Sequence, residues 1–156
     1  MKTIAIFAGS FNPFHIGHLN ILRKSESIFG KGNVVVAMGI NPDKISNNIK
    51  DYTNRKKIEA LEISKKINCE VIVYSNFLHQ LIESYEKLKH NVVIVRGLRN
   101  GDDLDYEVNQ LRFIDDFKKN VNVVYITCDK EYEHISSSAI RKINQIDGEM
   151  AQKYLI

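Results

Sequence analysis

Thr3-Ile4-Ala5-Ile6-Phe7-Ala8, running straight into Gly9-Ser10-Phe11-Asn12-Pro13-Phe14-His15-Ile16-Gly17-His18, is the stretch on which the fold turns. The first six residues form a nearly unbroken apolar run, the pattern of a strand covered on both faces. Gly9 then permits a tight turn and close approach by a ligand. Ser10 adds a hydroxyl and a backbone N–H. The helix expected after the turn presents free N–H groups and the positive end of its dipole, which suits phosphate. His15 and His18 are three residues apart, so at a helical start they share a side. From there both can donate hydrogen bonds to charge that grows in a transition state. Zinc fits the pair poorly, because no carboxylate lies nearby at ligand spacing.

Strand-like and helical patterns alternate along the rest of the chain. Further strands are expected at Asn33–Gly39, Glu70–Tyr74, Asn91–Val95 and Asn122–Thr127. Leu19, Leu22 and Phe29 share a helical face after the first strand, and Ile58 and Leu61 share one after the second. Phe77, Leu78, Leu81, Ile82, Tyr85 and Leu88 form a stripe after the third, and Leu104, Val108 and Leu111 one after the fourth. A last helix should start near Ser136 and run through Ile140 and Ile143. Such alternation implies an α/β, Rossmann-like fold: a five-stranded parallel sheet, right-handed crossovers and helices on both faces. No repeat or linker divides residues 1–156, so one domain is expected. Ligands of such folds bind beyond the carboxyl ends of the strands.

Bulk properties narrow the function. With 44% hydrophobic and 26% charged residues the chain of 156 has ordinary globular composition. A net charge of +3, with Lys65–Lys66 and Lys118–Lys119 only as pairs, gives no basic cluster that would point to nucleic acid. Cys69 and Cys128 are too few and too distant for a zinc site and read as unpaired thiols. Neither a signal peptide nor a stretch of membrane-spanning length is visible, so the expected location is the cytoplasm, with no membrane partner.

Three more motifs fall at or near strand ends. Asn41-Pro42-Asp43-Lys44 offers Lys44 as a point charge for phosphate. Arg96-Gly97-Leu98-Arg99 offers two guanidinium groups for bidentate phosphate binding and, at Gly97, room for a nucleotide to approach. The alternative is that both arginines pair with Asp102, Asp103 or Asp105. Ile135-Ser136-Ser137-Ser138 supplies either a helix N-cap or a set of hydroxyls and N–H groups for an anion.

Gly9–His18 resembles the HxGH signature of the nucleotidylyltransferase superfamily. Together with the later motifs, the chain resembles the bacterial phosphopantetheine adenylyltransferase family over nearly its whole length. The resemblance implies transfer of the adenylyl group of ATP to 4'-phosphopantetheine, giving dephospho-coenzyme A and pyrophosphate. It implies His18 as the catalytic residue. ATP would be held by Ser10, Phe11, His18, Gly97, Leu98, Arg99, Glu107, Tyr132, Glu133, His134, Ile135, Ser136, Ser137 and Ser138. Ser10, Lys44, Leu78 and Arg96 would hold the acceptor. Mg2+ is expected, held mainly through the ATP phosphates rather than by a protein metal site. A homo-oligomer, specifically a hexamer, is likewise implied by the resemblance. The chain departs from that family at Ser10 and His15, where threonine is common, at Asn12, where aspartate is usual, and at Tyr132, where some members carry tryptophan. His15 brings the loop nearer to the nicotinate mononucleotide adenylyltransferases, so that acceptor is the alternative. A non-catalytic nucleotide-binding module on the same fold is a third reading.

Overall fold

The apolar runs pair side by side into one sheet in a computed structural model that describes residues 1–40 and 48–156. The elements are β1 (Thr3–Gly9), α1 (Ile16–Phe29), β2 (Val34–Gly39), α2 (Ile49–Ile67), β3 (Glu70–Tyr74), α3 (Leu78–Lys87), β4 (Asn91–Leu98), α4 (Gly101–Phe117), β5 (Asn122–Thr127), α5 (Ser137–Ile146) and α6 (Gly148–Gln152). A 3-10 turn at Lys130–Tyr132 precedes α5. All strand pairs are parallel, in the order β3-β2-β1-β4-β5. The chain winds outward from β1 to β3, then returns to place β4 on the other side of β1. Strand order therefore reverses between β1 and β4, where Phe7 lies beside Val95, and a crevice opens beyond their carboxyl ends.

Alternation along β1 divides the core. Ala5 and Phe7 face α1 and α2, packing with Leu22, Val36, Met38, Ile63, Ile67 and Val95. Ile4, Ile6 and Ala8 face the opposite side, with Leu81 and Ile82 of α3 and Ile94 of β4. Burial of side chains such as Ile6 and Leu22, both at 0% exposure, contributes roughly 1.5–3 kcal/mol each. A smaller third cluster joins Ile135, Ile140 and Ala151 to Ile16, Tyr132, Tyr154 and Leu155. Among the described residues no helix is long and apolar enough to cross a membrane.

Four sequence expectations change here. The fourth strand does not end at Val95: Arg96, Gly97 and Leu98 go on pairing with Tyr125, Ile126 and Thr127. The core face of α2 is Ala60, Ile63 and Ile67, whereas Ile58 and Leu61 are 59% and 63% exposed. Both sets satisfy helical spacing, and contact with the sheet decides between them. Only the middle of the α3 stripe is buried, at Leu81 and Ile82, while Phe77 and Leu88 at its ends are exposed. The Leu104, Val108, Leu111 stripe of α4 covers less than expected, since no residue of α4 is fully buried.

Candidate active site

The turn from β1 into α1 is held by an interlocked pair of imidazoles. His15 is the N-cap of α1, and its Nδ1 accepts from the backbone N–H of Gly17 at 3.0 Å and of His18 at 3.3 Å. His18 answers, its Nδ1 accepting from the backbone N–H of His15 at 3.1 Å. This is the reciprocal arrangement of a capping box, built from histidine at both positions. The two rings stack at 3.6 Å between centroids. A Cβ on Gly17 would lie 2.9 Å from the His15 ring, so glycine is what lets the ring fold back over the helix start.

This geometry fixes protonation. A ring nitrogen that accepts a hydrogen bond carries no proton, so each neutral imidazole has its proton on Nε2. Burial, helped by the nearby Arg99 charge, lowers the pKa of His15 to about 4. Burial first, then His15 and Arg99, takes His18 well below the ordinary histidine range. Both rings are thus neutral at pH 7 and offer Nε2–H as a donor. His15 is only 4% exposed and is first a helix cap, in contrast to the expectation of two histidines equally turned to a polyphosphate. His18 keeps part of its surface on the hollow while its ring packs against Phe11 and Phe14, at 4.8 and 5.3 Å between centroids. Phe11 itself is a core residue at 3% exposure, with a left-handed φ of 47° that aims its ring inward. It can offer a ligand little beyond its backbone.

The opposite wall comes from β4 and α4. Arg96 donates from Nε and Nη2 to the two oxygens of Glu107, at 2.7 and 3.1 Å, and from Nη1 to the carbonyl of Ala8 at 2.9 Å. Arg99 donates from Nε and Nη2 to the two oxygens of Asp103, each at 3.0 Å. Each guanidinium is a fork of five N–H groups, so among the described residues Arg96 has two without a partner and Arg99 has three. Glu107, expected among the ATP ligands, has both oxygens engaged by Arg96. Gly97 also has a packing use: the space a Cβ would take is filled by Ile21 of α1, 2.9 Å away, so this glycine lets α1 close on the sheet.

The start of α5 completes the rim. Ser136 is the N-cap, its Oγ accepting from the N–H of Ala139 at 3.1 Å. Ser137 Oγ donates to the carbonyl of Pro13 at 3.0 Å, tying this loop to the β1–α1 turn. The carbonyl of Tyr154 adds a second tie, accepting from the N–H of Ile16 at 2.9 Å, and Leu155 bridges to His15.

Together these elements enclose a hollow of ≈ 420 Å³ at the switch point. It gathers Ser10, Phe11, His18, Arg96, Gly97, Leu98, Arg99, Glu107, Tyr132, Ile135, Ser136 and Ser137, all named from sequence. Glu133, His134 and Ser138 do not line it. So does His15, and so do Asp103, Tyr106 and Cys128, to which no binding role was assigned. Their signal lay in place rather than type: Asp103 and Glu107 sit one turn apart on α4. A second hollow of the same size, ≈ 420 Å³, adjoins the first through Arg96 and Glu107 and is largely apolar, lined by Leu78, Ile94, Leu111, Ile114 and Phe117 among others. Leu78 therefore faces this second chamber as well as packing on the core. Lys44 lies outside the described residues.

A donor-lined hollow at the switch point of a parallel sheet, entered over an HxGH turn, is the architecture of a nucleotidyltransferase. Residues 6–143 match the model of the cytidylyltransferase-like family. The chain is 37% identical to a phosphopantetheine adenylyltransferase of Mycoplasma capricolum subsp. capricolum, over 90% of this chain and 95% of that one. It is 30% identical to one from Cyanothece sp., over 95% of this chain and 83% of that one. Among solved structures, a Plasmodium falciparum nicotinic acid mononucleotide adenylyltransferase complexed with NaAD shares the fold, with a TM-score of 0.61 at 18% identity, covering 99% of this chain and 91% of that one. The chain belongs to the cytidylyltransferase-like family and, within it, to the phosphopantetheine adenylyltransferases.

Proposed function

We propose that this protein transfers the adenylyl group of ATP to 4'-phosphopantetheine, giving dephospho-coenzyme A and pyrophosphate. The observation that carries this reading is the pair of adjoining hollows that share Arg96 and Glu107. One is lined with donors for a polyphosphate. The other is apolar and suits a long, uncharged arm attached to a phosphate held at Arg96.

An oxygen of the acceptor phosphate attacks the α-phosphorus of ATP in line. The bond from that phosphorus to the α–β bridging oxygen breaks, and pyrophosphate leaves with the electron pair. A phosphate dianion is already nucleophilic, so the protein's task is placement and charge stabilisation. Ser10, Lys44 and Arg96 hold the acceptor phosphate, with Leu78 along its arm. The Nε2–H of His18 donates to the equatorial oxygens of the α-phosphate as charge builds there. Arg99 with Gly97 and Leu98, the free N–H groups at Ser136 and Ser137, and the Tyr132–Ser138 loop receive the rest of ATP. Phe11 contributes its backbone. Glu107 serves by holding Arg96. In this reading the Mg2+ that accompanies ATP is carried mainly by phosphate oxygens and water. We place the reaction in the cytoplasm, with the protein acting as a homo-oligomer.

Pyrophosphate release tests the reading directly. Turnover with ATP and 4'-phosphopantetheine, and little with nicotinate mononucleotide, is the expected result. The reverse preference would reassign the acceptor, and silence with both would leave a nucleotide-binding module.

A further inference from the structure

Arg99 is held at both ends, through its guanidinium and through its own backbone N–H. Its side chain is 38% exposed and its stem is flexible, so on its own the guanidinium would sample many positions. Instead Asp103 closes one edge of it. Oδ2 accepts from Nε at 3.0 Å and from the backbone N–H of Arg99 at 2.9 Å, while Oδ1 accepts from Nη2 at 3.0 Å. Three hydrogen bonds to one carboxylate fix the head and the root of the same side chain. Asp103 is itself fixed: Asn100, the N-cap of α4, accepts from its N–H at 3.0 Å. The carboxylate is charged at all working pH values. Burial opposes that charge, but the hydrogen bonds and charge of Arg99 outweigh it and keep the pKa below the ordinary aspartate value. Both N–H groups of Nη1 have no partner among the described residues, and Arg99 and Asp103 both border the donor-lined hollow.

Exposed arginine–carboxylate pairs usually add little stability. The value of this one lies in orientation. A bidentate pair with a third bond to the backbone leaves one rotamer open, and a guanidinium already in place loses less freedom when phosphate arrives.

We propose that Asp103 is the positioning residue for Arg99, setting its guanidinium to receive the phosphates of ATP. The proposal rests on the reading above that Arg99 contacts those phosphates. Asp103 touches no substrate and acts through Arg99 alone.

Titration calorimetry of ATP into the full chain, arranged as a double-mutant cycle, tests it. Asp103→Asn should weaken ATP binding about tenfold, leave the KM of the acceptor unchanged, and lose its effect in an Arg99→Ala background. Asp102→Asn is the control. It removes the same charge from the same helical turn, is exposed, and should leave ATP binding within about twofold. An equal loss from Asp103→Asn with and without Arg99 would make Asp103 merely structural and overturn the proposal. So would unchanged binding in the single variant. Tighter binding would mean that Asp103 competes with phosphate instead of presenting the arginine. If Arg99→Ala alone leaves ATP affinity unchanged, the assignment of Arg99 to ATP fails first, and the proposal falls with it.

Discussion

The two walls of the hollow are built on opposite principles. The β1–α1 turn is set by packing. Phe11 and Phe14 are buried beneath it, Leu22 and Ile21 anchor the helix behind it, and two histidines interlock at its start. Facing it, α4 has no fully buried residue and leaves Tyr106, Phe113 and Phe117 more than half exposed. What joins α4 to β4 at the site is a pair of arginine–carboxylate contacts, Arg96 with Glu107 and Arg99 with Asp103. The comparison teaches that a site can fix a neutral donor by burial and fix a cation by a counter-charge. Burial suits His18, because desolvation keeps the ring neutral with its proton on Nε2. It would not suit Arg96 or Arg99, whose charge is costly to bury.

The sharpest way to break the contrast is at the buried wall. His18→Asn keeps an acceptor near the position of Nδ1, preserving the bond from the His15 N–H, and removes Nε2–H. Steady-state kinetics should then show kcat lower by on the order of a hundredfold to a thousandfold, with ATP affinity nearly unchanged. A near-normal kcat would remove His18 from the chemistry. Next come stability differences between the walls. Leu22→Ala should cost about 3 kcal/mol by chemical denaturation, whereas Leu111→Ala in half-exposed α4 should cost about 1 kcal/mol. Equal losses would mean that α4 is packed as firmly as α1.

The smallest effect is a pH slope. His15 and His18 are held neutral in the folded protein with lowered pKa values, while in the unfolded chain they protonate near 6.5. Below that value the unfolded state binds more protons, so acid favours unfolding. The stabilisation is complete above about pH 6.5 and is lost progressively as pH falls toward about 4, where His15 titrates in the folded state. His15→Thr retains a capping oxygen and removes one titrating group. Thermal melts between pH 7 and 5 should show a shallower loss for that variant, by up to about 1.4 kcal/mol per pH unit. An unchanged slope would show that His15 protonates as freely in the folded protein as in the unfolded chain.

What the sequence disclosed follows the same division. The third and fifth strands were legible to the residue, because apolar runs with abrupt ends leave little choice. The fourth was read three residues short, since Arg96, Gly97 and Leu98 look like loop, and only the pairing of β5 alongside them makes them strand. Ile58 and Leu61 misled for a related reason: spacing shows that a helix has an apolar side, and the sheet decides which side it uses. The motifs marked most of the hollow because strand ends on a parallel sheet all emerge at one edge. The carboxylate partners were harder to see. Asp103 was one of three aspartates offered as an arginine partner and Glu107 was read as an ATP ligand; only the geometry pairs Arg99 with Asp103 and Arg96 with Glu107. In the same way, a histidine three residues from another suggests a shared ligand, and only the backbone geometry reveals that each ring caps the other's N–H.

One tie at the rim separates the site from its scaffold. The turn at residues 12–18 is closed by the carbonyl of Tyr154 and the bridge from Leu155. All five strands of the sheet lie between Thr3 and Thr127 and draw on neither of those closing residues. Damage near Leu155 therefore loosens the catalytic turn while the sheet stands, so the molecule can lose its chemistry and keep its architecture.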